Sequence, residues 1–501
     1  MTKDSFKEFI IKNLRIRELL FTLLFGVAVL LFFGLAYPHH LHYQEQYQLF
    51  LFDSTYVWEI VKQSGGVADL LGRFCTQFFL FAWVGAAIIA LLLSAVQLLT
   101  LRLINSQLST LNSQLFYGLS FVPSFLLWLF LLDENALLSG VWAVLLTLLI
   151  AFIITEHKDT KTPSGRTKCE DTKNCKRRKN FVSLCLCVPL FILLYWAVGP
   201  VCFPIPIESL WQGVHYYRYP TVFPWLLWAA AISAFVIVGL VLLIRHRLKH
   251  SSHLTSYLSF ALVVIVMGGL VWKNANFKAE KVMQYDFMAC HQQWNRILET
   301  VSAEKPNNQI GVTVQNLALA MRGMLLDRMF DYNQNSIHGL LPDVKEDATS
   351  PMPTAEAFYQ LGMINIAQRT VFEAQEAILD FQKSGRCYKR LAQTNLINGQ
   401  YEVARKYLMA LQKTLFYRDW ANETLQLLGN EKAIASHPEY GRLRQCAYNE
   451  DFYFSDHVTP EMLESLYYRN TDNRLAYQYL LAYCMLTGDR DRYNHIISKE
   501  Q

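Results

Sequence analysis

Seven uncharged apolar runs punctuate the first 272 residues of the chain, and none follows them. They are Leu19 to Pro38, Phe78 to Leu99, Leu115 to Leu132, Ala136 to Thr155, Phe181 to Gly199, Thr221 to Ile244 and Leu254 to Trp272. Each is close to or longer than the roughly 18 residues that carry a helix across a bilayer. In lipid a backbone must satisfy its own hydrogen bonds, so the runs predict helices. From Lys273 onward the pattern changes to apolar positions at helical spacing, broken by frequent turn residues. The expected fold is all-α: a transmembrane domain over 1–272 with about seven spans, then a soluble helical domain over 273–501.

Charge orients the spans. The first 272 residues hold 21 Lys and Arg. With the N-terminus in the cytoplasm, five precede the first span, Arg102 follows the second, and nine lie between Glu156 and Asn180. Arg245, Arg247 and Lys249 precede the last span, leaving only Lys62, Arg73 and Arg218 outside. The positive-inside rule selects that orientation. Residues 273–501 are then expected outside the cytoplasm, in the periplasm of a Gram-negative envelope. Leu19 to Pro38 is too long for a signal peptide and lacks a small-residue cleavage site after it, so it is expected to be retained. The Lys/Thr-rich loop from Glu156 to Asn180 reads as a topology determinant facing the lipid headgroups.

The outer loops carry the more varied chemistry. Between the first two spans, Tyr43, Tyr47, Phe50 and Leu51, then Val57, Trp58 and Val61, recur at three-to-four spacing. That spacing predicts an amphipathic helix in the membrane interface, ended by Ser64-Gly65-Gly66. The loop before the sixth span, with Pro200, Pro204, Pro206, Trp211 and His215 to Pro220, fits an interfacial aromatic belt.

In the tail, two stretches share a frame. Phe358-x-x-Leu361-Gly362 leads to Ala374, and Tyr388-x-x-Leu391-Ala392 leads through Gly399 and Tyr401 to Ala404. In both, one small residue precedes the next by twelve. This frame resembles the tetratricopeptide repeat, in which small residues let two antiparallel helices pack closely. A weaker copy runs from Tyr477 through Leu480, Leu481 and Gly488 to Tyr493, and Trp294 and Ile297 fit the second helix of a degenerate first unit ending near Pro306. The resemblance implies an α-solenoid whose concave face suits a peptide or helix of a protein partner.

Catalytic signatures are sparse. The chain has no phosphate-binding glycine loop, nucleophile elbow or His-Glu-x-x-His. His39, His40 and His42 are too close together for three ligands from one helix, so no metal and no cofactor is expected. The net charge of +5 comes from the membrane half and includes no basic run interleaved with aromatics, so no nucleic acid partner is expected; membrane lipids are. Cys290, Cys387, Cys446 and Cys484 read either as buried helical cysteines or, in an oxidising compartment, as disulfide partners. One set of residues remains: Glu45, Asp53, Asp133, Glu134 and Arg218 all fall on outer loops. Acidic groups there suit a base acting on a lipid-linked donor, with Arg218 on its phosphate. This layout resembles the membrane-embedded glycosyltransferases of the C superfamily.

The chain as a whole is similar to an uncharacterised family of bacterial inner-membrane proteins. The resemblance lies in Gln44 to Phe50 (QEQYQLF), Asp327 to Phe330 (DRMF), Gly399 to Ala404 (GQYEVA) and Thr414 to Ala421 (TLFYRDWA). It implies several spans followed by a tetratricopeptide-like helical domain, and implies no activity. The sequence therefore supports first a membrane-anchored protein-binding or assembly platform, and second a lipid-linked sugar transferase.

Overall fold

The computed structural model describes residues 3–46, 48–63, 65–107, 117–160, 224–244, 253–343, 351–378, 382–448 and 460–500. All regular structure among them is helical. The chain divides into two compact units, Met1–Gln44 with Ser54–Asn276, and Glu45–Asp53 with Phe277–Gln501. The sequence predicts a single crossing from one domain to the other, at residue 272. The chain in fact passes between the units three times, because nine residues of the first outer loop belong with the tail.

The first unit is built from α1 (Lys3–Leu31, running on as a π-helix over Phe32–Ala36), α2 (Pro38–Glu45), α3 (Ser54–Val61), α4 (Gly66–Thr76) and α5 (Ala82–Gln107). It continues with α6 (Val122–Phe130), α7 (Leu138–Thr160), α8 (Trp225–Ile244) and α9 (His253–Asn274). Among the described residues four helical stretches are long and apolar enough to cross a membrane: Glu18–Ala36, Ala82–Ser106, Leu138–Thr155 and Tyr257–Asn274. Leu258, Leu262 and Ile265 of α9 stand exposed, a surface suited to lipid rather than water. The third predicted run is shorter than expected. It forms an apolar helical stretch over Gly118–Phe130, about 20 Å at 1.5 Å per residue against a hydrocarbon core of roughly 30 Å. The fifth run, 181–199, lies outside the described residues.

Polar groups inside this unit are tied to one another. Thr22 donates to Gln97 Oε1 at 2.8 Å, and Gln97 Nε2 donates to Ser120 Oγ at 2.9 Å. Ser124 Oγ donates to Leu93 O at 2.8 Å. Such bonds, and close backbone approach at small residues, hold helices together where lipid removes the hydrophobic drive. At Gly118 a Cβ would stand 2.6 Å from the Ser259 carbonyl carbon, so α9 reaches the 3-10 turn before α6 only because that position is glycine.

The predicted amphipathic helix of the first outer loop is instead two helices, α2 and α3, with residues 48–53 between them in no regular structure. Three-to-four spacing of aromatics is compatible with a helix, but here burial against distant residues decides the conformation.

The second unit stacks helices in pairs: α10 (Phe277–Cys290) and α11 (Trp294–Glu304); α12 (Gln309–Met321) and the short α13 (Leu325–Arg328); α14 (Pro351–Leu361) and α15 (Ile364–Ala377); α16 (Gly385–Ile397) and α17 (Tyr401–Gln412). Then come α18 (Arg418–Leu425), α19 (Glu431–Ser436), α20 (Pro438–Cys446), α21 (Pro460–Arg469), α22 (Arg474–Thr487) and α23 (Arg490–Glu500). Several turns share one mechanism. The backbone enters the left-handed region at Gly362 (φ +95°), Gly399 (φ +76°) and Gly488 (φ +74°). The next amide then bonds back over the helix end: Met363 N to Phe358 O at 2.9 Å, Gln400 N to Asn395 O at 2.8 Å, Asp489 N to Cys484 O at 3.0 Å. These are Schellman caps, which satisfy the terminal carbonyls and reverse the chain into an antiparallel neighbour. Trp294 and Ile297 lie buried in α11, the second helix of its pair, which ends at Glu304 just before Pro306.

The caps correct the repeat frame. Gly362 is a turn residue, equivalent to Gly399, whereas Ala392 sits inside α16. The frame that equates Gly362 with Ala392 is therefore seven residues out of register. Superposing the turns gives an offset of 37 residues and pairs Ala355 with Ala392 and Ala367 with Ala404, all four fully buried. The twelve-residue interval survives in both pairs, on different residues in the first. Phe358, Leu361 and Ala374 are buried, as are Leu391 and Ala404, while Tyr388 and Tyr401 are half-buried. Cys290, Cys387, Cys446 and Cys484 are free thiols.

Candidate functional site

The segment Glu45–Asp53 belongs to the second unit, and its described residues 48–53, which form no helix, lie against α16, α17 and α18. Two backbone amides secure it: Leu49 N donates to Lys383 O at 2.7 Å, just before α16, and Phe52 N to Lys413 O at 2.7 Å, just after α17. Leu49, with Leu51 at its side, fills an apolar surface made by Ala392, Leu408, Leu411 and Ala421 and rimmed by Tyr388, Tyr407, Tyr417 and Trp420. Main-chain rungs with side chains seated between them are how a groove holds an extended peptide. The groove is shaped by the small residues of the repeat, since Ala392 leaves room for Leu49.

Each end of the segment carries an acid. Asp53 Oδ2 meets Lys413 Nζ at 2.5 Å, in a pair that is half exposed. Glu45 is buried, and Tyr417 Oη lies 3.1 and 3.2 Å from its two oxygens. Burial pushes the Glu45 carboxyl up to about 7 from 4.5, with Tyr417 and Arg386 pulling against that rise. Gly385 makes the contact possible, because a Cβ there would stand 2.6 Å from the Tyr417 ring.

Beneath Glu45 lies a buried ion pair. Arg386 Nη1 and Nη2 donate to Asp286 Oδ2 and Oδ1 at 2.5 and 2.8 Å, the bidentate arrangement a guanidinium favours, and Nη1 also reaches Gln46 Oε1 at 3.3 Å. One turn along α16, Arg390 pairs with Glu356 and stacks 3.7 Å from the Tyr359 ring centroid. Burial works against charge on Arg386, but Asp286 outweighs it and raises its affinity for the proton. Burial also raises the Cys290 thiol beside it.

The five sequence candidates are placed as follows. Glu45 and Asp53 bracket the bound segment in the second unit. Asp133 and Glu134 lie in the turn between α6 and α7 of the first, where Asp133 Oδ1 accepts from Asn135 N at 2.9 Å. Arg218 lies outside the described residues. Both acids of the segment are engaged by the protein itself, Glu45 in a buried hydrogen bond and Asp53 in an ion pair. That is the geometry of anchors rather than of a base open to substrate. Of the histidines, His40 is buried in the first unit and donates from Nε2 to Leu131 O at 2.9 Å; burial lowers its pKa to about 4. Sequence reasoning missed Tyr417, Arg386 and Asp286. A buried arginine has no local signature, and Tyr417 and Arg386, the partners of Glu45 and Gln46, lie hundreds of positions away.

The chain belongs to the family of unknown function DUF6057, whose model matches residues 12–207 and 169–499. No curated protein and no solved structure matches it.

Proposed function

We propose that the chain is a multi-pass protein of a bacterial inner membrane that holds a tetratricopeptide-like helical domain outside the cytoplasm as a binding platform for an extended segment of a protein partner. The observation that carries this reading is the seating of residues 48–53, by backbone bonds to Lys383 and Lys413, in a groove built from successive helix pairs. A surface that takes one extended peptide has the physical means to take another of like pattern. The pairs at an offset of 37 residues, against roughly 34 for the repeat they resemble, support the solenoid. The seven-span topology and the outward tail rest on loop charge and on the four apolar helices.

Phe372 and Met409 occupy equivalent positions on the second helices of two pairs, and both are about half exposed. A photo-crosslinking side chain placed singly at each, in the full chain in native membranes, is expected to trap a discrete protein adduct. Adducts no stronger than those from a probe at Lys499 would sink the platform reading. For topology, a cysteine at the exposed Glu402 is expected to react with a membrane-impermeant maleimide on spheroplasts. Protection until lysis would reverse the orientation.

A further inference from the structure

We propose that Glu45–Asp53 is a proton-controlled strap, seated in the α16–α18 groove while the Glu45 carboxyl carries its proton and loosened when that carboxyl ionises. Glu45 is enclosed, and the one side chain that bonds both its oxygens is a phenol, not a cation. The nearest cation, Arg386, spends two N–H groups on Asp286 and shares one of them with Gln46. An ionised carboxylate in that position lacks the direct ion pair that a buried charge needs.

The other titratable groups facing Glu45 hold still over the relevant range. Tyr417, on the link before α18, is kept protonated by burial and by Glu45 itself, so it donates throughout. Arg386 of α16 stays charged beside Asp286 of α10, and burial holds the Cys290 thiol of α10 in its neutral form. The Asp53–Lys413 latch at the far end is half exposed, and such pairs contribute little. Among these groups, the one that titrates over this range is Glu45.

The direction follows from linkage. The seated carboxyl titrates near 7 and a freed one near 4.5, so the seated state binds the proton more tightly. Seating is strongest below 4.5, weakens about tenfold per pH unit up to about 7, and levels off above. Acid tightens the strap and neutral pH loosens it. On the platform reading, loosening uncovers Leu408, Leu411, Tyr388 and Trp420 for a competing segment.

The test is hydrogen exchange on the full chain in lipid nanodiscs. It follows the amides of Leu49 and Phe52, with those of Tyr479 and Leu480 in α22 as internal reference. After correction for intrinsic exchange, protection of the two strap amides is expected to fall by about tenfold or more between pH 5 and pH 8. In Glu45→Gln, which is neutral at every pH and still accepts from Tyr417, the same ratio is expected to change less than about threefold. A flat wild-type profile, or a Glu45→Gln profile that follows wild type, overturns the strap. If Glu45→Gln does not insert, Tyr417→Phe serves: loss of the phenol donor is expected to move the midpoint to higher pH, and an unmoved midpoint overturns the proposal. No partner enters the measurement, so failure here leaves the platform reading standing, and failed crosslinking leaves the strap standing.

Discussion

Replacing Arg386 with methionine removes the cation from a buried ion pair of the second unit. Its side chain and that of Asp286 are 10% and 11% exposed, with two parallel N–H···O bonds between them. Methionine matches the aliphatic stem and fills most of the space, so the main loss is electrostatic. Asp286 is left buried with its charge uncompensated, which costs about 3–5 kcal/mol. For a unit of this size each kcal/mol moves a thermal midpoint by about 2–4 °C, so a fall of roughly 6–20 °C is expected. Because membrane proteins often unfold irreversibly, the comparison is of apparent midpoints at one scan rate, with full-length protein in one detergent. The double variant Arg386→Met/Asp286→Leu is expected to recover most of the loss, since removing both charges restores an apolar interior. A single variant within about 1 kcal/mol of wild type would refute the reasoning. So would a double variant no better than the single, which would mean that packing rather than charge fixes the site.

Gly362→Ala and Gly399→Ala both force alanine into the left-handed region, at about 1–2 kcal/mol each. Gly362→Ala also drives a Cβ to 2.8 Å from Cys446 O, whereas Gly399 opens onto free space, so the first is expected to melt measurably lower than the second. Ala404→Leu overfills a position with no exposed surface and is expected to cost about 1–3 kcal/mol. Lys413→Ala is expected to shift stability by less than about 1 kcal/mol, because its partner Asp53 is reached through solvent-exposed atoms. All are read by thermal melts of the full chain, and equal losses at Gly362 and Gly399 would contradict the cap geometry.

What the sequence conveyed and what it hid divide along the range of the interactions. Apolar runs mark helices because length and apolarity are properties of a local stretch, so Ala82–Ser106 and Leu138–Thr155 were readable from composition. Helix pairing was readable too, since alanines at a twelve-residue interval and glycine turns are local. The register was not, because glycine serves two purposes. At Gly362 it supplies a positive φ, and beside Leu361 the letters alone resemble a close-packing pair. The site was least legible. Glu45 was singled out as an acid on an outer loop, but its partner Tyr417 lies 372 positions on. The aromatic spacing of Tyr43, Tyr47 and Phe50 imitated one helix where the chain forms a helix that ends at Glu45 and then, over 48–53, no helix.

The strap also sets a schedule for making the protein. Asp53 leaves the ribosome 360 residues before Lys413, its latch. At roughly 5–20 residues per second, that interval is about 20–70 s. For most of it Leu49, Phe50 and Leu51 have no groove to enter, because α16, α17 and α18 have yet to be translated. The newborn chain must carry a short apolar stretch uncovered while its later helices are made. A holding chaperone would meet its client at this moment. A fragment beginning at Phe277 meets the converse difficulty: it reproduces every helix after the last span and is born with its groove empty.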